Sequence, residues 1–201
     1  MDFVFWILDL IGYWELGFGN LKIFMLKKIL LHTCCAPCGI AIIDELKNQF
    51  QLTVFFYNPN IFPEDEYLKR KAEVVKVCQE WGIPMVDMDY ETEKWDKAVA
   101  GLEKEPESGA RCLTCFQFRL VRTAEYAKEN NFDYFASTLT MGRNKKAEVI
   151  NPIGLALAEK SGVKFYEEDW KKNGRQEKGR KLTAEKNIYR QNYCGCKFSK
   201  Q

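Results

Sequence analysis

Seven of the eight cysteines fall into three tight groups: Cys34, Cys35 and Cys38, then Cys112 with Cys115, then Cys194 with Cys196. A secreted disulfide scaffold is smaller and loop-rich, and it follows a signal peptide. In a chain of 201 residues, C-C-x-x-C, C-x-x-C and C-x-C spacings point instead to metal or redox chemistry in a reducing compartment, so a cytoplasmic protein is expected. The eighth, Cys78, shares a helical stripe with Leu68, Ala72 and Val75 and reads as a small buried hydrophobe.

The pattern around these groups alternates strand and helix. Lys27 to His32 is a short apolar run, Pro37 to Phe50 a helix, and Leu52 to Tyr57 a β-branched and aromatic strand stopped by Asn58-Pro59-Asn60. A helix opens at Pro63 and runs to Trp81, with Glu64, Asp65 and Glu66 complementing its dipole and Gly82 ending it. A strand at Pro84 to Asp89, a short helix at Glu91 to Gly101 and a polar loop from Glu103 to Arg111 come next. Leu113 to Glu129 is helical and Tyr134 to Leu139 a strand. Ala147 to Lys160 is helical, with Asn151-Pro152 expected to start a new helix. Val163 to Tyr166 is a last strand, and Arg175 to Arg190 a basic helix. Repeated β-α units predict one α/β domain, a parallel sheet with helices on both faces.

In such a sheet, ligands gather beyond the carboxyl ends of strands, at helix N-termini. Cys34, Cys35 and Cys38 lie there after the first strand, where the helix dipole favours thiolate. Cys112 and Cys115 open a later helix and can face the same edge. Cluster iron is normally held by four thiolates, and these groups offer five. Structural zinc uses similar spacing but rarely needs seven thiols. Cys194 and Cys196 are read either as ligands of a separate metal or as a strained, reducible disulfide. His32, the single histidine, is a candidate proton donor or ligand, or a hydrogen-bonded structural residue.

Charge is unevenly spread. Trp170 to Gln201 holds ten Lys/Arg against two Asp/Glu, a local +8 in a chain whose net charge is +2. That segment reads as the footprint of a polyanion or as a solvated face. Ser137-Thr138-Leu139-Thr140-Met141-Gly142-Arg143-Asn144-Lys145-Lys146 has the composition of an anion cradle at a strand end. Trp170 beside Lys171, Lys172 and Arg175 suggests stacking of a base next to phosphate contacts. Arg143, Lys145, Lys171, Lys172 and Arg175 are the candidate RNA-binding residues. No Walker or dinucleotide-binding glycine fingerprint occurs.

Residues 1–24 are apolar but carry Asp2, Asp9 and Glu15. They lack the cationic start of a signal peptide and the run of about 20 apolar residues needed to span a bilayer. A start codon placed upstream of Met25 is one expectation, with residues 25–201 as the domain; an amphipathic helix covering an apolar patch is the other.

LLHTCCAPCG (Leu30 to Gly39), FFYNPNIFPEDEYLKRK (Phe55 to Lys71), RCLTC (Arg111 to Cys115), STLTMGRNK (Ser137 to Lys145), DWKKNGRQ and YRQNYCGC together resemble the QueH-type epoxyqueuosine reductases from about Met25 to Ser199. The resemblance implies a Rossmann-like fold related to adenine-nucleotide alpha hydrolases. It also implies two-electron removal of the epoxide oxygen of epoxyqueuosine at the tRNA wobble position, with a 4Fe-4S cluster and without cobalamin. It assigns Cys34, Cys35, Cys112 and Cys115 to the cluster. Cys194 and Cys196 become a redox pair or ligands of one additional iron, with Cys38 near that second site. An electron donor is implied but not identified, and no membrane is involved. The competing functions are a cluster-dependent tRNA-thiolating enzyme, which would need a pyrophosphate loop where this chain has His-Thr-Cys-Cys, and a zinc-bound RNA-binding module.

Overall fold

The computed structural model describes residues 26–199; the expectations for the leader therefore lie outside the described residues. Five parallel strands form one sheet in the order β3-β2-β1-β4-β5. They are β1 (Lys28–His32), β2 (Gln51–Phe56), β3 (Met85–Asp87), β4 (Tyr134–Ser137) and β5 (Lys164–Phe165). The helices are α1 (Ala36–Leu46), α2 (Glu64–Trp81), α3 (Thr92–Ala98), α4 (Ala110–Glu129), α5 (Ala147–Ser161) and α6 (Arg175–Glu185). The expected fold class is observed. No helix among the described residues is long and apolar enough to cross a membrane.

Alternation along the central strands divides the core. Ile29 and Leu31 of β1, with Leu52, Val54 and Phe56 of β2, pack on one face against Ile40 and Ile43 of α1 and Val74 and Val77 of α2. Leu30, Phe55 and Phe135 point to the other face, against Ala124 and Ala127 of α4. Full burial of side chains of this size contributes about 1.5–3 kcal/mol each. His32 at the end of β1 pairs in register with Phe55 and Ser137. The strand order reverses between β1 and β4, so the crevice beyond those two ends is the natural ligand site.

Several boundaries differ from the sequence reading. Asn151-Pro152 does not start a new helix: α5 runs unbroken through Pro152. The ring removes one backbone bond, and burial of Ile150 against Leu120 and Leu139 holds the turn together. The basic helix stops at Glu185 instead of Arg190, because Asn187 turns left-handed (φ 48°) and the buried Ile188 donates back to the Thr183 carbonyl at 2.9 Å. That is a hydrophobic C-terminal cap. The outer strands β3 and β5 shrink to three and two residues, each with one neighbour to pair with.

Helix α2 ends as expected on Gly82, in the left-handed region at φ 64°. Its buried stripe, however, is Tyr67, Arg70, Val74, Val77 and Cys78. Leu68, expected on that stripe, is 51% exposed. Cys78 itself is buried, and burial pushes its thiol from the ordinary 9.0 to about 11.

Two outcomes follow for Cys78. Replacing it with Ser places a hydroxyl in this apolar contact and lowers unfolding free energy by about 1–3 kcal/mol, read from urea melts. The folded-state pKa lies above the unfolded value, so the thiol's contribution is complete below pH 9 and is lost as pH rises through about 11. A Cys78→Val chain therefore loses less stability over that window than the parent.

Candidate metal centre and its cavity

The first thiol group sits where β1 hands over to α1. Cys35 is extended (φ −168°) and serves as the N-cap, and Pro37 in the first turn fixes the helix start. This junction brings the sulfurs of Cys34, Cys35 and Cys38 within 4.8 Å of one another, with Cys34 and Cys35 at 3.8 Å. Hydrogen bonds from Cys35 and Cys38 hold the Cys34 thiol well below its ordinary pKa, against burial and with help from Lys145 and Arg119. The same sharing pushes Cys35 up to about 12 and raises Cys38. All eight cysteines are free thiols.

His32 is not placed to donate a proton to a ligand. It is wholly buried, with Nε2 at 3.1 Å from the Tyr57 carbonyl and Nδ1 at 3.0 Å from Ser137 Oγ. A carbonyl only accepts, so Nε2 carries the proton and Nδ1 accepts from the Ser137 hydroxyl. Burial, and then the Arg119 charge, lower its pKa to about 3. The neutral ring ties the end of β1 to Ser137 at the end of β4 and to Tyr57 just after β2.

Cys112 and Cys115 lie in the first two turns of α4. The Ser108 amide donates to the Cys112 sulfur at 3.2 Å, and Cys115 packs with Trp95, Val99 and Cys196. Burial raises the Cys112 thiol, and the neighbouring Cys194 and Cys115 raise it further. Cys196 is raised by burial and by Cys115 and Cys194. The second and third thiol groups thus meet in space.

The terminal pair is strapped down by Arg70. Its guanidinium is 2% exposed, bonded to Glu66 at 2.7 Å and to the carbonyls of Cys194 and Tyr193 at 2.9 and 3.3 Å. Gly195 between the two cysteines has φ +110°, and a Cβ there would fall 2.9 Å from Arg70 Nη1. Phe62 N donates to the Gly195 carbonyl at 2.8 Å, and Gln191 Nε2 lies 2.8 Å from the Cys35 sulfur.

Two buried cations face the thiols. Arg119 donates to the Cys115 carbonyl and to Asn58, while its Nη2 has no protein partner. Burial opposes its charge, and Cys115, Cys34 and Cys194 hold its pKa above the ordinary value. Burial likewise opposes the charge of Lys145, and Cys194 and Cys34 hold it up. Buried charges need counter-charge. Soft thiolate donors that together carry negative charge, beside an orphaned guanidinium nitrogen, fit an iron–sulfur group.

Above the sulfurs opens a cavity of about 1050 Å³ whose lining includes Cys34, Cys38 and Cys194. Arg143, Lys145 and Lys171 also line it, joined by Arg180 and Arg190. Lys171 Nζ donates to the Lys145 carbonyl at 2.6 Å and so braces the Arg143–Lys145 loop. Lys172 is exposed and lies 3.7 Å from Asp169.

Two expectations for the basic segment are corrected. Trp170 is 1% exposed, with Nε1 donating to the Ser137 carbonyl, so it cannot stack a base. Arg175 forks onto both oxygens of Glu45 at 2.7 and 2.8 Å and onto Glu168 at 3.0 Å, so it docks α6 on α1 instead of gripping phosphate. The hydroxyls of Ser137, Thr138 and Thr140 also turn inward. The sequence reading missed Arg70, Arg119 and the exposed Arg180 and Arg190. A basic residue on an apolar stripe is the signal that finds the buried pair: Arg119 lies one turn after Cys115, and Arg70 one turn after Tyr67.

Gly195→Ala forces the strap off Arg70. A strained backbone position of this kind costs about 1–3 kcal/mol. Anaerobic maleimide labelling of metal-free protein, read by mass spectrometry, is expected to modify Cys196 about ten-fold faster than in the parent. An unchanged rate contradicts the clamp.

The family described as "Epoxyqueuosine reductase QueH" matches residues 29–201. Named epoxyqueuosine reductase QueH proteins are 40% identical over 175 residues in Histophilus somni (86% of this chain, 72% of that one) and 40% over 174 residues in Acinetobacter baylyi (86% and 80%). The Thermotoga maritima protein of the same name is 39% identical over 174 residues (85% and 89%). Among solved structures, the U34-tRNA thiolase NcsA from Methanococcus maripaludis with its [4Fe-4S] cluster covers 90% of this chain and 74% of its own, with 15% identity and a TM-score of 0.43. Matched over nearly all of its described length, this chain belongs to the QueH family of epoxyqueuosine reductases.

Proposed function

We propose that the cavity receives the wobble nucleotide of a tRNA carrying epoxyqueuosine and that the sulfur-lined floor is where its epoxide is reduced. The chain is an epoxyqueuosine reductase, an oxidoreductase of queuosine synthesis. The observation that carries the reading is the convergence of Cys34, Cys38 and Cys194 on one cation-walled cavity. The reaction takes two electrons and two protons, breaks both C–O bonds of the epoxide and releases water, leaving the ring alkene. An iron–sulfur group bound there supplies electrons singly and a Lewis-acidic iron for the oxygen.

Cys34, Cys35, Cys112 and Cys115 are assigned to a 4Fe-4S cluster. Cys194 and Cys196, with Cys38, are assigned to a redox pair or to one additional iron. The meeting of Cys115 with Cys196 and the close Cys34-Cys35-Cys38 group support placing all of them around one centre. Arg119 and Lys145 balance its negative charge and keep the floor preorganised. His32 and Ser137 fix the strand ends beneath it. A tRNA substrate and an electron donor place the reaction in the cytoplasm. The thiolating and zinc-module readings are not favoured: the strand-end loop is His-Thr-Cys-Cys, and the family is one of reductases.

Phosphate contacts are reassigned within the basic wall. Among the described residues no carboxylate pairs with Arg143, Arg180 or Arg190, and all three are exposed at the cavity. Lys171 acts through the loop it braces.

Incubation of epoxyqueuosine-containing tRNA with iron- and sulfide-loaded protein and a strong reductant is expected to remove one oxygen mass from the nucleoside. No loss, with a control reductase active alongside, overturns the reading. Cys112→Ser is expected to lower bound iron and abolish turnover, checked by metal analysis. Replacing Arg143, Arg180 and Arg190 together with Ala should weaken tRNA binding and reduce the log–log salt slope by about 2, at roughly 0.7 per contact. Arg175→Ala should lower stability and leave that slope in place.

A further inference from the structure

Among the described residues, one carboxylate lines the cavity, Glu107, in a lining otherwise rich in cations. No cation among the described residues pairs with it. A carboxylate at the mouth of a phosphate-binding cleft opposes phosphate, so its use there must be toward positive charge on the ligand. We propose that Glu107 is a specificity-determining residue that binds the protonated secondary amine of the modified base; the proposal rests on the epoxyqueuosine reading above and extends it to recognition.

The loop that carries Glu107 is built to hold it in place. Arg111, buried at the start of α4, gathers the carbonyls of Leu102, Glu103 and Glu105 at 3.2, 2.8 and 2.5 Å. Ser108 sits in the left-handed region (φ 73°), its hydroxyl donating to the Asn144 carbonyl at 2.9 Å and its amide to the Cys112 sulfur at 3.2 Å. The residue after Glu107 is thus pinned both to a thiol and to the loop carrying Arg143 and Lys145. Anchored this way, the exposed carboxylate is held at the cavity that Cys34, Cys38 and Cys194 also line.

The substrate's chemistry fits that placement. In epoxyqueuosine the aminomethyl nitrogen of the deazaguanine bears the ring carbon adjacent to the epoxide, so the ammonium lies a few bonds from the oxygen to be removed. A nucleotide with its phosphate on the arginines and its epoxide over the sulfurs keeps this ammonium inside the cavity that Glu107 lines. Unmodified guanosine has no such charge, and for it Glu107 contributes only repulsion toward the backbone.

The test compares the parent, Glu107→Gln and Glu107→Asp with anticodon stem-loops bearing epoxyqueuosine, 7-aminomethyl-7-deazaguanine or guanosine at the wobble position. The parent is expected to bind both amine-bearing loops about ten-fold more tightly than the guanosine loop, the lower end for a hydrogen bond between charged groups. Glu107→Gln should erase that preference, with the guanosine loop bound as tightly as before or somewhat more tightly as the repulsion is lost and with iron content unchanged, and Glu107→Asp should keep part of it. In turnover, Glu107→Gln should raise KM with kcat retained. A preference that survives Glu107→Gln, a parent without preference, or a fall in kcat at constant KM, which marks a proton donor, each overturns the proposal. If the preference depends on Glu107 but the cluster-loaded parent leaves epoxyqueuosine unconverted, the reductase reading fails and the recognition site stands.

Discussion

The constraint on which the rest of this structure depends is the burial of positive charge beneath a sulfur-lined floor. Arg70 and Arg119 are nearly inaccessible, and Lys145 is little more exposed. Uncompensated, any one of them would cost several kcal/mol. Glu66 answers Arg70 directly, and the Cys115 carbonyl and the Asn58 amide oxygen answer part of Arg119. For Arg119 and Lys145 the neighbouring cysteine sulfurs supply the remaining compensation. The scaffold thus carries buried positive charge that an anionic centre at the cysteines would complement.

Around that centre the two walls differ in character. One is a turn and a helix start, tied by His32 to both central strands and short enough that its thiols are preorganised. The other is assembled at long range, from the start of α4 and the strap held by Arg70. The cavity lies between them, with the Arg143–Lys145 loop and α6 closing it. Arg175, bidentate on Glu45, keeps α6 seated on α1. Its role is to hold the wall rather than to touch the substrate.

Most of the architecture was legible in the chain: periodicity gave the order of strands and helices, and cysteine spacing gave a centre at helix starts. What sequence could not settle was direction. Trp170 and Arg175 look like an RNA-facing pair because aromatic and basic residues lie side by side, but the turn before α6 points both inward, where the indole finds the Ser137 carbonyl. The Leu68-to-Cys78 stripe was offset for a related reason. A buried Arg70 is invisible to a search for apolar residues, and without it the true face of α2 cannot be drawn. Pro152 misled because a local rule was outweighed by the burial of Ile150.

The register of β1 against β4 joins His32 to Ser137, 105 positions apart, whereas Cys34, Cys35 and Cys38 need only β1 and α1. Contacts of short sequence separation form early and distant parallel pairings late. By that measure the three-thiol site is the most local part of the arrangement, whereas the second wall, the Arg119 counter-charge and the strap rest on distant contacts. Thiophilic ions such as zinc or copper bind sets of this kind readily. An ion captured at those three thiols would be held by contacts local in sequence, independently of the distant ones that build the second wall.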